Sequence, residues 1–369
     1  MPLRIRDIAA YLEELAPRRL ALDWDNVGLL VGHPDASLSN VLVSLNYNSE
    51  VLREALEHRA NLVLCHHPPL MNPLKNLRTD SPLGALLKET LARDIHVYAA
   101  HTNLDAAGRG VNRFLAEAFA LENLEVLQKT GEDPLLKLAV FVPPSHADQV
   151  RDALAQAGAG WIGNYSHCTF SSTGTGTFLA REGTNPFLGQ QGAMERVKEL
   201  KMETILPASI KGRVVDALLT AHPYEEPAFD LYGLVQSGSA YGLGLLGELP
   251  EKILLKDLAE TIKKTLQVEK VKMVGQGDRA VRKMAVCGGS GGDLVGLAAS
   301  RGADVYLTGD VKYHQAEKAR DLGMALVDAG HGATENVILK PLSAYLQEKV
   351  GEGHKVFPSR INPSFWEFI

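Results

Sequence analysis

Two histidines stand side by side, His66 and His67, in the stretch LCHHPPL (Leu64 to Leu70). The apolar run before them, NLVLC (Asn61 to Cys65), has the pattern of a buried strand. Pro68 and Pro69 cannot donate to a sheet ladder, so the strand is expected to stop at the histidines. That leaves two imidazoles at the carboxyl end of a buried strand, where open α/β sheets hold ligands and reacting groups. Two further strand ends carry similar chemistry. HTNLDAA supplies His101 and Asp105, and DAGHGATE supplies His331 and Glu335. His331 and Glu335 are four apart and share a face if a helix begins near Gly332.

Three imidazoles, His66, His67 and His331, with the carboxylates of Asp105 and Glu335 make a mixed nitrogen and oxygen donor set. Such a set suits Zn, Fe, Mn, Ni or Co better than Ca or Mg, and without thiolate it does not suggest a closed structural zinc site. Five ligands fit two divalent metal ions. A bridging carboxylate between ions about 3.5–4 Å apart is the usual two-metal hydrolase arrangement, in which the metals supply an activated water near neutral pH. Glu335 is expected to bridge, His66 and Asp105 to complete one ion, and His67 and His331 the other. His101 is expected to stand behind these ligands, orienting one of them or carrying a proton. Each residue also has a plainer use. The histidine pair can be hydrogen-bonded loop residues, Asp105 can cap a turn before Gly108, and Glu335 can be a first-turn acid of a helix. His314 is left open between the site and solvent. CGGSGGDL (Cys287 to Leu294) is either an anion cradle or a tight strand-to-helix turn.

The elements that must position these groups alternate. NVLVSLN (Asn40 to Asn46) is predicted as a strand. A helix with Ser49 as N-cap follows over SEVLREALEHRA. The pattern continues through a helix opening with Ser81 and Pro82, the strand IHVYAA and a helix from Gly110 to Leu121. Strand–helix alternation implies a parallel-rich sheet covered on both faces. After about residue 128 the order becomes β-α-β-β-α-β, that of a ferredoxin-like module. The glycine-rich SGSAYGLGLLGEL (Ser237 to Leu249) reads as the exit linker, and alternation then resumes. The expected organisation is a discontinuous α/β core, residues 1–128 and 238–369, with an inserted α+β domain over 129–237.

The remaining 369-residue composition narrows the classes. A net charge of −6 argues against a general nucleic-acid binder. No apolar run approaches membrane-spanning length, and the N-terminus reads as an amphipathic helix, not a signal peptide. Three scattered cysteines suggest reduced thiols in a cytoplasmic protein.

LCHHPPL, HTNLDAA, CGGSGGDL, TGDVKYHQA, DAGHGATE and WDNVGLLVG together resemble the NIF-three-like family, many of whose members are called GTP cyclohydrolase I type 2 homologues. The resemblance implies a dinuclear metal site on His66, His67, Asp105, His331 and Glu335, and a toroidal homohexamer. GNYSHCTF, GTGTF, TNPFLG and HPYEEPAFDLY resemble the insert of longer bacterial members, which implies a PII/CutA-like fold for it. Two functions follow as expectations. One is a metal-dependent hydrolase acting on a small or nucleotide-like substrate, GTP ring opening being one case. The other is a ligand-sensing or metal-handling regulatory assembly in which the metals are structural. HPYEEP (His222 to Pro227) would then be a gate, a binding loop or a subunit contact.

Overall fold

The computed structural model describes residues 2–362 and 364–366. The chain divides into two units, one built from the segment up to Thr130 together with the segment from Tyr241 onward, the other from Gly131–Ala240. The strands in order are β1 (Gly28–Val31), β2 (Asn40–Ser44), β3 (Ala60–Cys65), β4 (His96–Ala99) and β5 (Glu122–Glu132). Gly131–Ala240 then supplies β6 (Leu135–Val142), β7 (Thr169–Leu179), β8 (Met194–Pro207) and β9 (Phe229–Gly233). The return gives β10 (Ala240–Leu254), β11 (Lys272–Val274), β12 (Ala280–Val286), β13 (Val305–Thr308), β14 (Ala325–Asp328) and β15 (Val356–Pro358).

The first unit is mixed α/β with two sheets, not the one that simple alternation suggested. One runs β1-β4-β3-β2-β15, with β4, β3, β2 and β15 parallel and β1 antiparallel at the edge. The other runs β11-β14-β13-β12-β10-β5, with β12, β13 and β14 parallel. Both sheets are buried on both faces, which explains the unbroken apolar runs. In the first, Val41, Val43, Leu62 and Leu64 pack with helices Ile5–Leu15 and Leu339–Val350, while Leu42 and Val63 pack with Ser49–Glu57 and Pro82–Ala92. Successive residues thus serve opposite cores, as the strand repeat of two demands. Met284 and Val286 alternate with Ala285 and Cys287 in the same way in the second sheet.

Three further expectations are corrected. Asn48, not Ser49, caps the helix Ser49–Glu57, because its side-chain oxygen accepts from Glu50 N and Val51 N at 3.0 and 2.9 Å. Most of the expected exit linker is strand β10. All of Met194–Pro207 is strand, where only its second half was predicted.

Gly131–Ala240 has the chain order β-α-β-β-α-β and one antiparallel sheet, β7-β8-β6-β9. Val150 and Leu154 of one helix and Val214 and Leu218 of the other join Leu138, Val140 and Met202 in its core. His222 is structural there: Nε2 donates to Phe141 O (3.0 Å), and Nδ1 accepts from Tyr224 N (3.1 Å). All three cysteines are free. Among the described residues no helix is long and apolar enough to cross a membrane.

Candidate metal centre

The site forms where parallel strands of the first unit's two sheets end. His66 N and His67 N donate to Ser44 O and Leu45 O at 3.0 and 2.8 Å, so both residues continue the pairing of β3 with the chain after β2 until Pro68 stops it. His101 follows β4 and precedes the short helix Thr102–Ala106, which carries Asp105. His331 opens the helix His331–Glu335 after β14, and Gly330 makes the entry turn at φ 88°. All five expected ligands therefore converge, and His101 stands beside them.

Every imidazole here is turned by the same device. His66 Nδ1 donates to Ala100 O (2.8 Å), His67 Nδ1 to Asn46 Oδ1 (2.8 Å), His101 Nδ1 to Asp25 Oδ1 (2.9 Å) and His331 Nδ1 to Asp310 Oδ2 (2.8 Å). With a proton fixed on Nδ1 by an oxygen acceptor, Nε2 is left as the nitrogen that can ligate once any proton on it is lost, as in metal-ligating histidines. His67 Nε2 and His331 Nε2 face each other at 3.1 Å. Two lone pairs at that distance repel unless a proton or a cation lies with them.

Glu335 is at the centre and its side chain is only 3 % exposed. Its Oε2 lies 3.0 Å from His67 Nε2, and its Oε1 lies 3.2 Å from His331 Nε2 and 3.6 Å from His66 Nε2. Asp105 Oδ1 lies 3.5 Å from His66 Nε2. Glu335 thus touches both pairs, His66 with Asp105 and His67 with His331. Among the described residues, His66 Nε2, Asp105 Oδ1 and Glu335 Oε2 are buried without a hydrogen-bond partner. Unpartnered buried polar atoms are rare and call for an ion or water. The donor atoms form two groups, His66–His67–His101 and His67–His331–Glu335, each within 4.8 Å. The residues fit a metal ion.

The electrostatics fit as well. Burial alone would push His66 down, but the Asp105 and Glu335 carboxylates outweigh it and lift it to about 9. The hydrogen bond to Glu335 lifts His331 to about 9 against its burial. Burial lowers His67 and raises Asp105 to about 6. Glu335 stays well below the usual carboxylate range despite burial, held by His66, His331 and His67. Asp25, with its side chain wholly buried, is lowered to about 2, because hydrogen bonds from His101 and Thr102 outweigh burial. Burial pushes Cys65 and Cys287 up to about 12, so neither offers a thiolate at neutral pH.

The glycine-rich loop supports the site without cradling an anion. Gly288 N, Gly289 N and Gly291 N donate to Asn112, Thr334 and Thr308. A Cβ on Gly289 would lie 2.2 Å from Glu335 Oε1, so only glycine lets the loop close over that carboxylate. His314 is exposed beside Glu317 and takes no part. Sequence reasoning assigned no role to Asn46, Asp25 or Asp310, which hold three of the imidazoles. A cavity of about 530 Å³ adjoins Asp25, lined also by Arg18, Arg19, Leu22 and Asn26.

Fold and site together define a mixed α/β protein with a buried histidine–carboxylate cluster able to hold metal. The chain belongs to the Duf34/NIF3 (NGG1p interacting factor 3) family, whose model matches residues 3–364. A Halalkalibacterium halodurans protein called a GTP cyclohydrolase 1 type 2 homolog is 47% identical over 319 residues, 86% of each chain. A Bacillus subtilis protein of the same name is 43% identical over 362 residues, 97% of each. The crystal structure of a Bacillus cereus protein related to NIF3 superposes with a TM-score of 0.91 at 43% identity, covering 100% of both chains.

Proposed function

We propose that this chain binds two divalent metal ions and acts as a metal-dependent hydrolase on a small or nucleotide-like molecule. The observation that carries the reading is the shared orientation of the imidazoles. Each is locked at Nδ1, and three turn Nε2 toward Glu335, whose Oε2 is among the unpartnered buried atoms. His66 and Asp105 would hold one ion and His67 and His331 the other, with Glu335 placed to serve both. Zn, Fe, Mn, Ni and Co match these donors. When bound, the metals supply Lewis acidity and an activated water near neutral pH. His101, backed by Asp25, orients that centre or moves a proton at its Nε2. The relatives' name supports a nucleotide-like substrate, with opening of the GTP ring as one case.

The second unit is read as a ferredoxin-like, PII/CutA-like module inserted into the core. Its exposed Trp161, Ile162, Tyr165 and Phe170 suit self-association, in keeping with a homohexamer in the cytoplasm. They also favour a second reading, a ligand-sensing or metal-handling assembly with structural metals. The deciding experiment is metal analysis of protein purified without added metal, followed by a screen of phosphoester, nucleotide and cyclic-amide substrates. Turnover that scales with bound metal supports the hydrolase. A ligand bound at the insert, without turnover, supports the assembly.

A further inference from the structure

Trp24 is a large aromatic left 60 % exposed beside the site. Its ring centroid lies 5.9 Å from that of His101, edge to face at 73°. His101 in turn stands 5.2 and 5.6 Å from His66 and His67. The turn that carries Trp24 is tied down on both sides. Leu22 N donates to Thr102 Oγ1 at 2.9 Å, Asp25 N to Leu22 O at 2.9 Å, and Thr102 N to Asp25 Oδ2 at 2.9 Å. On the other side the Asn26 amide donates to Leu70 O, the end of the histidine loop. The turn that carries the indole is thus held in place, and the indole, in edge contact with His101, leaves most of its own surface facing water.

We propose that Trp24 is the wall against which a flat, purine-sized ring of the substrate stacks as it reaches the metal centre. This rests on the reading that the centre serves a small molecule. Aromatic rings pair at centroid separations of about 4.5–7 Å. With Trp24 5.9 Å from His101, a ring stacked on it at that spacing stays within about 13 Å of that imidazole. A turn that is already ordered loses little freedom on binding, so less of the stacking energy is spent on ordering the backbone. A bicyclic face matches a bicyclic ring, and stacking accepts any flat base without reading its edge.

The test uses the full chain with its metals. Trp161→Phe and Trp366→Phe leave Trp24 as the sole indole among the chain's three tryptophans. Guanosine is then titrated, and fluorescence quenching is expected to saturate. By calorimetry, Trp24→Ala and Trp24→Leu are each expected to weaken guanosine binding about tenfold or more, the scale of stacking on an aromatic. Trp24→Phe is expected to keep affinity within a few-fold. Ribose 5-phosphate, which has no aromatic ring to stack, is expected to bind all variants alike. Leu keeps bulk without a π face, so it separates stacking from shape. Absence of saturable quenching overturns the proposal, as does unchanged guanosine affinity in both Trp24→Ala and Trp24→Leu. So does a change of assembly state in sedimentation with guanosine affinity intact, which would make Trp24 a subunit contact. Guanosine binding through Trp24 with no turnover of any substrate leaves the proposal standing and removes the hydrolase reading instead.

Discussion

Glu335→Gln is the sharpest perturbation of the centre, because glutamine keeps the volume and removes only the charge. In metal-free protein the carboxylate is surrounded by His66, His67 and His331. His66 rises from 6.5 to about 9 although its side chain is 1% exposed. A lift of that size is worth about 3 kcal/mol. A histidine whose folded pKa is raised contributes stability that is complete below its unfolded pKa and is lost as pH rises through the folded one. His66 therefore contributes fully below pH 6.5 and loses its share on the way through 9. Asp105 supplies part of the lift. His331 adds less, since its side chain is 34% exposed and solvent screens it. The expected loss in Glu335→Gln at pH 6.5 is about 2 kcal/mol, a drop of roughly 4–8 °C in the melting temperature of a unit this size. The difference should shrink toward zero near pH 10. Melts of chelator-treated wild type and variant from pH 6 to pH 10 measure it. A variant as stable as wild type at pH 6.5, or a gap independent of pH, would refute the electrostatic reasoning. With metal present, a bridging role requires that occupancy of both ions falls. Full occupancy of both would remove Glu335 from that role.

Three further outcomes are expected. Metal uptake at pH 7 should release about two protons per chain, because His66 and His331 are protonated in the metal-free site and neutral as ligands. Calorimetry in buffers of different ionisation enthalpy reads that number, and zero release would contradict it. His101→Ala should keep both ions at saturating metal while turnover falls about 10–100-fold. An ion lost even in excess metal would make His101 a ligand. Replacing residues 131–240 with a short Gly-Ser linker should leave a folded, metal-binding core, since Thr130 Oγ1 already donates to Tyr241 O at 3.4 Å. Loss of metal and of cooperative melting would show that the segment belongs to the core.

The strands were legible where burial on both faces wrote an unbroken apolar run, as in β2, β3 and β13. They were not legible where packing demanded glycine. β10 contains Gly242, Gly244 and Gly247 and so reads as a linker. A Cβ on Gly242 would lie 1.9 Å from Gln128 O, and one on Gly247 2.8 Å from Glu122 O. These glycines serve the close approach of β5 and say nothing of flexibility. The split into two sheets was hidden for a related reason. Each sheet is buried on both faces, so no strand's pattern records which neighbour it pairs with.

The candidate ligands were legible because a strand end leaves a mark in sequence: an apolar run, then a polar residue, then a helix start or a proline. The orientation of those ligands leaves no such mark. A histidine binds metal only if its ring is rotated and its proton placed, and the partners that do this come from distant chain. Asp25 reaches His101 across 76 residues, and Asn46 and Asp310 reach His67 and His331 across 21 each. None sits at a spacing with a helical or strand period. Asp25 lies between Trp24 and Asn26 in a turn that looks like any other, yet its buried carboxylate fixes the ring of His101 and anchors the loop that presents Trp24. One residue therefore couples the orientation of an imidazole at the candidate metal centre to the position of Trp24 beside it. Asp25→Asn should disturb both together, which is why neither placement could be read from the sequence around either one.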